Sequence, residues 1–198
     1  MRRWMVTIWL ILVFFGIGLL FYYNEWVYLQ PTPVPLNYQF VKPGTLIPLA
    51  ALTTDGLAQP VFLHFFNPDC PCSRFNIAQF KLLVAQYSNH VHFVIVVISK
   101  NNYTTGTIQD KFNLKVSVLF DPTIAAACGV YSTPQAVLLD AQHHLYYRGN
   151  YNTSRYCTDE KTNYAKIALN GVLNSRRRVV FNPLALRAYG CSLPGCNR

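Results

Sequence analysis

The sequence predicts an α/β fold, a central mixed sheet with helices on both faces, preceded by one N-terminal transmembrane helix. Three observations lead there. A long uncharged run opens the chain, strand-length apolar runs alternate with helix-spaced segments from Val61 onward, and two cysteines, Cys70 and Cys72, stand where the first strand hands over to a helix. Strand, helix and strand within about 40 residues make a βαβ unit. The whole order, β-α-β-α-β-α-β-β-α, suits a sheet covered on both sides.

No charged residue occurs from Trp4 to Asn24, and WMVTIWLILVFFGIGLLFYY is about 20 residues long, enough to cross ~30 Å of hydrocarbon as a helix. Arg2 and Arg3 precede it and Glu25 follows. The positive-inside rule therefore puts the N-terminus in the cytoplasm and the rest of the chain in the periplasm, as a single-pass protein of a bacterial inner membrane. Trp4, Trp9, Tyr22, Tyr23 and Trp26 gather toward the ends of the run, where interfacial aromatics sit. A cleaved signal peptide is the competing reading; its apolar region is normally shorter and ends in small residues, whereas this one ends in Phe21-Tyr22-Tyr23. The expected organisation is a cytoplasmic stub (1–3), an anchor (4–24), a spacer (25–39) stiffened by Pro31, Pro33 and Pro35, a globular domain (40–175) and a tail (176–198).

Composition narrows the function classes. With 52% hydrophobic residues among 198, the chain is not disordered, and its length suits one domain with an appendage. The formal net charge is +9 and the isoelectric point about 9.4. The basic residues are scattered apart from Arg176-Arg177-Arg178, and no nucleic-acid motif is present, so no nucleic-acid partner is expected. A basic exterior beside anionic lipid accounts for the charge.

Val61 to Phe66 (VFLHFF) reads as a strand ended by the turn Asn67-Pro68-Asp69. Phe75, Ala78, Leu82 and Ala85 then recur at helical spacing and predict one helix to about Ser88 with these residues inward. Val91 to Ser99 is almost all β-branched or aromatic, as in a strand buried on both faces. A helix over Thr105–Phe112, a strand over Val116–Phe120 and a short helix from Asp121-Pro122 to Ala127 follow. Gln135–Asp140 and His143–Arg148 form a hairpin. Asp159–Asn174 is a helix, and the tail has no strong periodicity.

The chemistry sits at Asp69-Cys70-Pro71-Cys72. The first turn of a helix offers unpaired N–H groups and the positive end of its dipole, which stabilise a thiolate. Two cysteines one residue apart can exchange a disulfide, though the small ring of Cys-x-Cys is strained. Arg74 adds a nearby cation and Asp69 opposes it. Inert or metal-ligating cysteines are the alternative. Farther on, Tyr131-Ser132-Thr133-Pro134-Gln135 puts a proline just before a strand. A cis Thr133–Pro134 bond there would expose backbone beside the cysteines for an extended thiol-bearing substrate; a trans proline opening a strand is the plainer reading.

FFNPDCPCSRF, VLFDPTIAAACGVYSTPQAVLLDAQHHLYYRG and the Gly190-Cys191 pair together resemble the thioredoxin superfamily, closest to its redoxin-like branch related to alkyl hydroperoxide reductases and thiol-specific antioxidants. The resemblance covers about residues 40 to 195. It implies a thioredoxin-like fold, Cys70 as the attacking cysteine, Cys72 as the resolving one and Pro134 as the cis-proline. His64 falls where thioredoxins hold a buried acid. Two departures stand out: Pro71 alone separates the cysteines, and Asp69 replaces the usual tryptophan.

His64 is a candidate proton shuttle for thiol exchange, or a histidine satisfied by a local hydrogen bond. Cys128 reads as a packed free thiol. Among Cys157, Cys191 and Cys196 at least one structural disulfide is expected, Cys157–Cys191 being preferred and Cys191–Cys196 its rival, with a resolving role for Cys191 as a further alternative. His90, His92, His143 and His144 read as solvent-facing rather than ligating, and the sequons at Asn102 and Asn152 as chance. Thus neither metal nor cofactor is expected. The reading is a membrane-anchored thiol–disulfide oxidoreductase whose partners are thiol- or disulfide-bearing proteins outside the cytoplasm. Two other activities compete: a copper-binding chaperone or assembly factor, since soft thiolates suit Cu(I), and a peroxiredoxin-type peroxidase, against which Asn67 stands where that family places Thr or Ser. A non-catalytic membrane-associated domain is the remaining alternative.

Overall fold

In the computed structural model, which describes residues 2–26, 30–49, 59–153, 157–174 and 179–193, the uncharged run forms α1 (Arg2–Phe21) and a π-helical turn over Tyr22–Trp26. Among the described residues α1 is the one helix long and apolar enough to cross a membrane, and none of its apolar window is buried, unlike the core helix of a soluble protein. Met1–Pro31 and Thr32–Arg198 form two separate compact units.

The second unit is built around β1 (Val61–Phe66), all six residues of which are buried. It pairs in parallel with β2 (His92–Val97), Val61 opposite His92, and β2 pairs in parallel with β3 (Ser117–Leu119). On its other side β1 runs antiparallel to β5 (Gln135–Leu139), Phe65 opposite Gln135, and β5 antiparallel to β6 (Leu145–Gly149). The order is therefore β3-β2-β1-β5-β6, the mixed sheet that was expected. The period-2 alternation of a strand divides the core in two. Phe62 and Phe66 point to the cluster of Phe80, Phe112, Tyr147 and Leu169, while Val61, Leu63 and Phe65 meet Ile124, Cys128 and Val130.

The helices depart from expectation in two places. After the cysteine turn the chain forms not one helix but two, α2 (Pro71–Arg74) and α3 (Ile77–Tyr87). The break at Phe75-Asn76 lets α3 turn independently of the cysteine loop. Its buried stripe is Phe80, Leu83, Val84 and Tyr87; Leu82 is 64% exposed, and Ala78 and Ala85 also face outward. The reason is bulk. The Phe/Leu/Val/Tyr stripe removes far more apolar area from water than a stripe containing two alanines, at about 25 cal/mol per Å².

Then α4 (Thr105–Phe112) and α5 (Thr123–Cys128) follow, α4 opened by Thr104, whose side chain accepts a hydrogen bond from Thr107 N–H. The helix expected over Asp159–Asn174 is a 3₁₀ turn at Glu160–Thr162 followed by α6 (Tyr164–Leu173), because Asn163 caps a new helix by accepting from Lys166 N–H. The aperiodic tail holds a short helix, α7 (Pro183–Leu186), and a two-residue strand, β7 (Cys191–Ser192), which pairs antiparallel with β4 (Ser132–Thr133). Arg176–Arg178 and Cys196 lie outside the described residues.

The re-assigned face of α3 has a direct test. Phe80→Ala should lower stability by about 3–5 kcal/mol, and Leu82→Ala should change it by no more than about 0.5 kcal/mol, in urea unfolding of the detergent-solubilised protein. The reverse ranking would restore the alanine-containing stripe as the inward face.

Candidate active site

Three local hydrogen bonds shape the end of β1. Asn67 Oδ1 accepts from Asp69 N–H (2.9 Å), Asn67 C=O accepts from Cys70 N–H (3.1 Å), and Asn67 N–H donates to Ser73 Oγ (3.2 Å). Asn is suited to this, because its short side chain mimics a backbone turn. The turn delivers Cys70 to the N-cap of α2 with extended backbone, φ −96° and ψ 123°. Asp69, the residue before Cys70, faces the loop that follows β2. Its carboxylate accepts from Ser99 Oγ (2.6 Å), Tyr103 hydroxyl (2.5 Å) and Asn101 Nδ2 (3.1 Å). The Ser99 and Tyr103 hydroxyls hold it below the usual carboxylate range and tie the cysteine turn to the loop that leads into α4. α2 is a single turn of four residues and the Cys70 side chain makes no capping hydrogen bond, so the expected stabilisation by a helix dipole is slight.

The tail supplies the third sulfur. Cys191 lies opposite Thr133 in the β4–β7 pair, next to the cis Thr133–Pro134 bond. A disulfide joins Cys70 to Cys191, and Cys72 Sγ stands 3.2 Å from Cys191 Sγ. All three sulfurs lie within 4.8 Å of one another, and all three residues are buried. Gly190 makes this approach possible. Its φ of +150° is a glycine conformation, and a Cβ there would run into Thr133 carbonyl oxygen.

This corrects the expected cystine. Cys191 pairs with Cys70 and not with Cys157, which keeps a free thiol at φ +56°, packed beside the Phe62–Tyr151 cluster and pushed up by burial to about 12. Cys157 follows β6 and precedes α6, on elements that do not lead to β4, so it is not brought to the tail strand. Cys128 is a fully buried free thiol, likewise pushed up to about 12 by burial. Of the other histidines, only His90 is fully exposed; His92, His143 and His144 are half-buried, with His92 beside Ser117 Oγ (3.4 Å) and His144 beside Asp140 (3.4 Å).

His64 is sealed in aromatic packing. It stacks on Phe80 with ring centroids 4.7 Å apart and meets Phe66, Phe112 and Tyr151. Nδ1 hydrogen-bonds the Tyr151 hydroxyl at 2.6 Å, while Nε2 is buried with no hydrogen-bond partner among the described residues. Burial pushes its pKa down to about 3. Such an imidazole stays neutral at physiological pH and is a poor carrier of protons. Tyr151, its partner, bore no signal in the sequence beyond its aromatic ring. Ser132 Oγ and Thr133 Oγ1, on the strand that pairs with the tail, are also buried without hydrogen-bond partners among the described residues.

A family model described as a domain of unknown function (DUF6436) matches residues 46–193. No curated protein matches the chain. Among solved structures, an uncharacterized conserved protein from Geobacillus kaustophilus superposes with a TM-score of 0.64 at 18% identity, covering 82% of this chain and 97% of its own. A hypothetical protein from Sinorhizobium meliloti gives 0.63 at 18% identity, covering 79% and 96%. The thioredoxin domain of a thiol–disulfide oxidoreductase from Bacteroides vulgatus gives 0.48 at 12% identity, covering 62% and 98%. The strand order β3-β2-β1-β5-β6 with a cis-proline opening β5 fits the thioredoxin-like fold that the sequence resemblance implied.

The buried histidine sets a pH dependence. Below about 6.5 the unfolded chain takes up a proton that folded His64 refuses until about 3. The stability from this residue is therefore complete above 6.5 and falls with pH below it, by about 1.4 kcal/mol per unit. Urea unfolding between about pH 6.5 and 4.5, above the carboxylate range, should show that slope, and His64→Phe should flatten it. An unchanged slope in the variant would contradict the buried, neutral assignment.

Proposed function

The chain belongs to the DUF6436 family, and we propose that this member is a membrane-anchored thiol–disulfide oxidoreductase acting outside the cytoplasm, with α1 as its anchor and its N-terminus in the cytoplasm. One observation supports this above the rest: a disulfide and a third cysteine sulfur share one cluster beside the cis-proline edge at Thr133. Sulfurs at this spacing can pass a covalent bond among themselves with little movement of the backbone.

In the reductive direction the thiolate of Cys70 attacks one sulfur of a partner disulfide. The partner's S–S bond breaks, its other sulfur leaves as a thiolate and takes a proton from water, and a Cys70–partner mixed disulfide forms. A second cysteine of the cluster then attacks Cys70 Sγ, and the first partner sulfur leaves in the same way. The partner gains two electrons and the cluster loses two. Run backward, the same steps oxidise a partner dithiol. Thr133 and Pro134 are the proposed substrate-binding backbone, and Cys72 and Cys191 are the two candidates for the second cysteine.

The cluster also favours a second reading. Three cysteine sulfurs within 4.8 Å of one another, with no carboxylate among them, would once reduced offer a soft donor set for a monovalent ion such as Cu(I). The two readings separate experimentally.

Cys70→Ser should bring insulin-disulfide reduction by the detergent-solubilised protein down to the uncatalysed background. Full activity in this variant would remove Cys70 from the chemistry. In parallel, anaerobic titration of the reduced protein with Cu(I) should show no tight stoichiometric complex if exchange is the function. One equivalent held tightly, and lost in each single Cys→Ser variant, would favour the metal reading.

A further inference from the structure

We infer that β7 is a built-in stand-in for the partner: a redox-operated cap that covers the docking edge when the cluster is oxidised and leaves it when the cluster is reduced. This inference rests on the thiol-exchange reading above. It adds a direction, that the protein accepts disulfide-bearing partners and not dithiols.

The tail strand has each feature the proposed docking edge asks of a partner. It is extended, it pairs antiparallel with Ser132–Thr133, and it brings a cysteine opposite Thr133 that is disulfide-bonded to Cys70. An edge that pairs with backbone takes one strand at a time. While Gly190–Ser192 lies there, no other segment can pair with Thr133.

The tail is fastened at its base by hydrogen bonds and at its tip by the disulfide as well. Asn150 Nδ2 donates to Leu184 C=O (2.8 Å) and Arg187 C=O (2.6 Å), and Asn150 N–H donates to Ala185 C=O (2.8 Å). Ala185 and Ala188 are fully buried. Beyond them the chain turns through Gly190, and the tip is held by the two-residue β4–β7 pairing, by Leu193 N–H to Tyr131 C=O (3.0 Å) and by Thr32 Oγ1 to Gly190 C=O (3.0 Å). A few such bonds are individually modest. The disulfide is the covalent fastening of the tip, beside these bonds and the packing of Leu193 against the second core cluster.

The cycle balances. A dithiol reductant converts the Cys70–Cys191 disulfide to two thiols and is itself oxidised to a disulfide; the tip then leaves the edge. A disulfide-bearing segment pairs with Thr133, and Cys70 takes one of its sulfurs into a mixed disulfide while the other leaves as a thiol. A new bond then forms between Cys191 Sγ and Cys70 Sγ as the Cys70–partner bond breaks; the electron pair leaves on the partner sulfur, which takes a proton from water. The tail re-covers the edge. A released dithiol finds no place to dock, so the reverse reaction is hindered at binding.

Hydrogen exchange on the full-length protein in detergent micelles, with and without a dithiol reductant, tests the cap. Reduction should speed exchange at residues 131–133 and 191–193 by about tenfold or more while leaving β5 and β6 unchanged; equal protection in both states would overturn the inference. Cys191→Ser removes the tail sulfur; once its near-UV circular dichroism shows a folded domain, residues 131–133 and 191–193 should exchange as fast as in the reduced wild type whether or not reductant is present. Protection equal to that of the oxidised wild type would count against the cap. Cys70→Ser separates the two levels: if it still exchanges disulfides, the oxidoreductase reading fails, whereas its inactivity beside a tail that ignores reduction defeats the cap alone.

Discussion

The pairing of Thr133 with Cys191 is the contact on which the site depends. Two residues of strand and one glycine turn bring a sulfur from the tail to the end of β1, where the Asn67 turn has already placed Cys70 and Cys72. Without that register, Cys70 and Cys72 would be two neighbours on a single helical turn, separated by one proline and poorly shaped for a bond between themselves. With it, the bond spans two distant parts of the chain, and the short ring is no longer required.

The surrounding structure holds this cluster from several directions. β1 is buried along its whole length and paired on both sides, which fixes the point where the cysteine turn begins. Asp69 joins that turn to Ser99, Asn101 and Tyr103. Asn150, at the end of β6, holds α7 and so sets where the tail starts toward β4. His64 is part of this framework: its ring fills the aromatic core beneath β1 and Nδ1 hydrogen-bonds the Tyr151 hydroxyl.

What could be read from the sequence follows the range of the interactions. β1 and β2 declare themselves as continuous apolar runs and the β5–β6 hairpin by its turn, and the structure has them, with α4, close to the expected bounds. The proline before β5 was legible too, and its bond is cis. The inward face of α3 was not, because two stripes of similar spacing competed and the choice was made by packing against β1 and β2. The partner of Cys191 was not legible either. A two-residue strand has no periodicity, and its pairing with β4 depends on the folded positions of α7 and β6. Gly190 immediately before Cys191 was the one local sign that the backbone there comes close to another strand.

The most direct test is non-reducing peptide mapping of the purified protein by mass spectrometry, with fragmentation to assign each linked sulfur. Cys191 should be found joined to Cys70, with Cys128 and Cys157 alkylated as free thiols. A Cys157–Cys191 or Cys191–Cys196 linkage in the native protein would contradict the three-sulfur site.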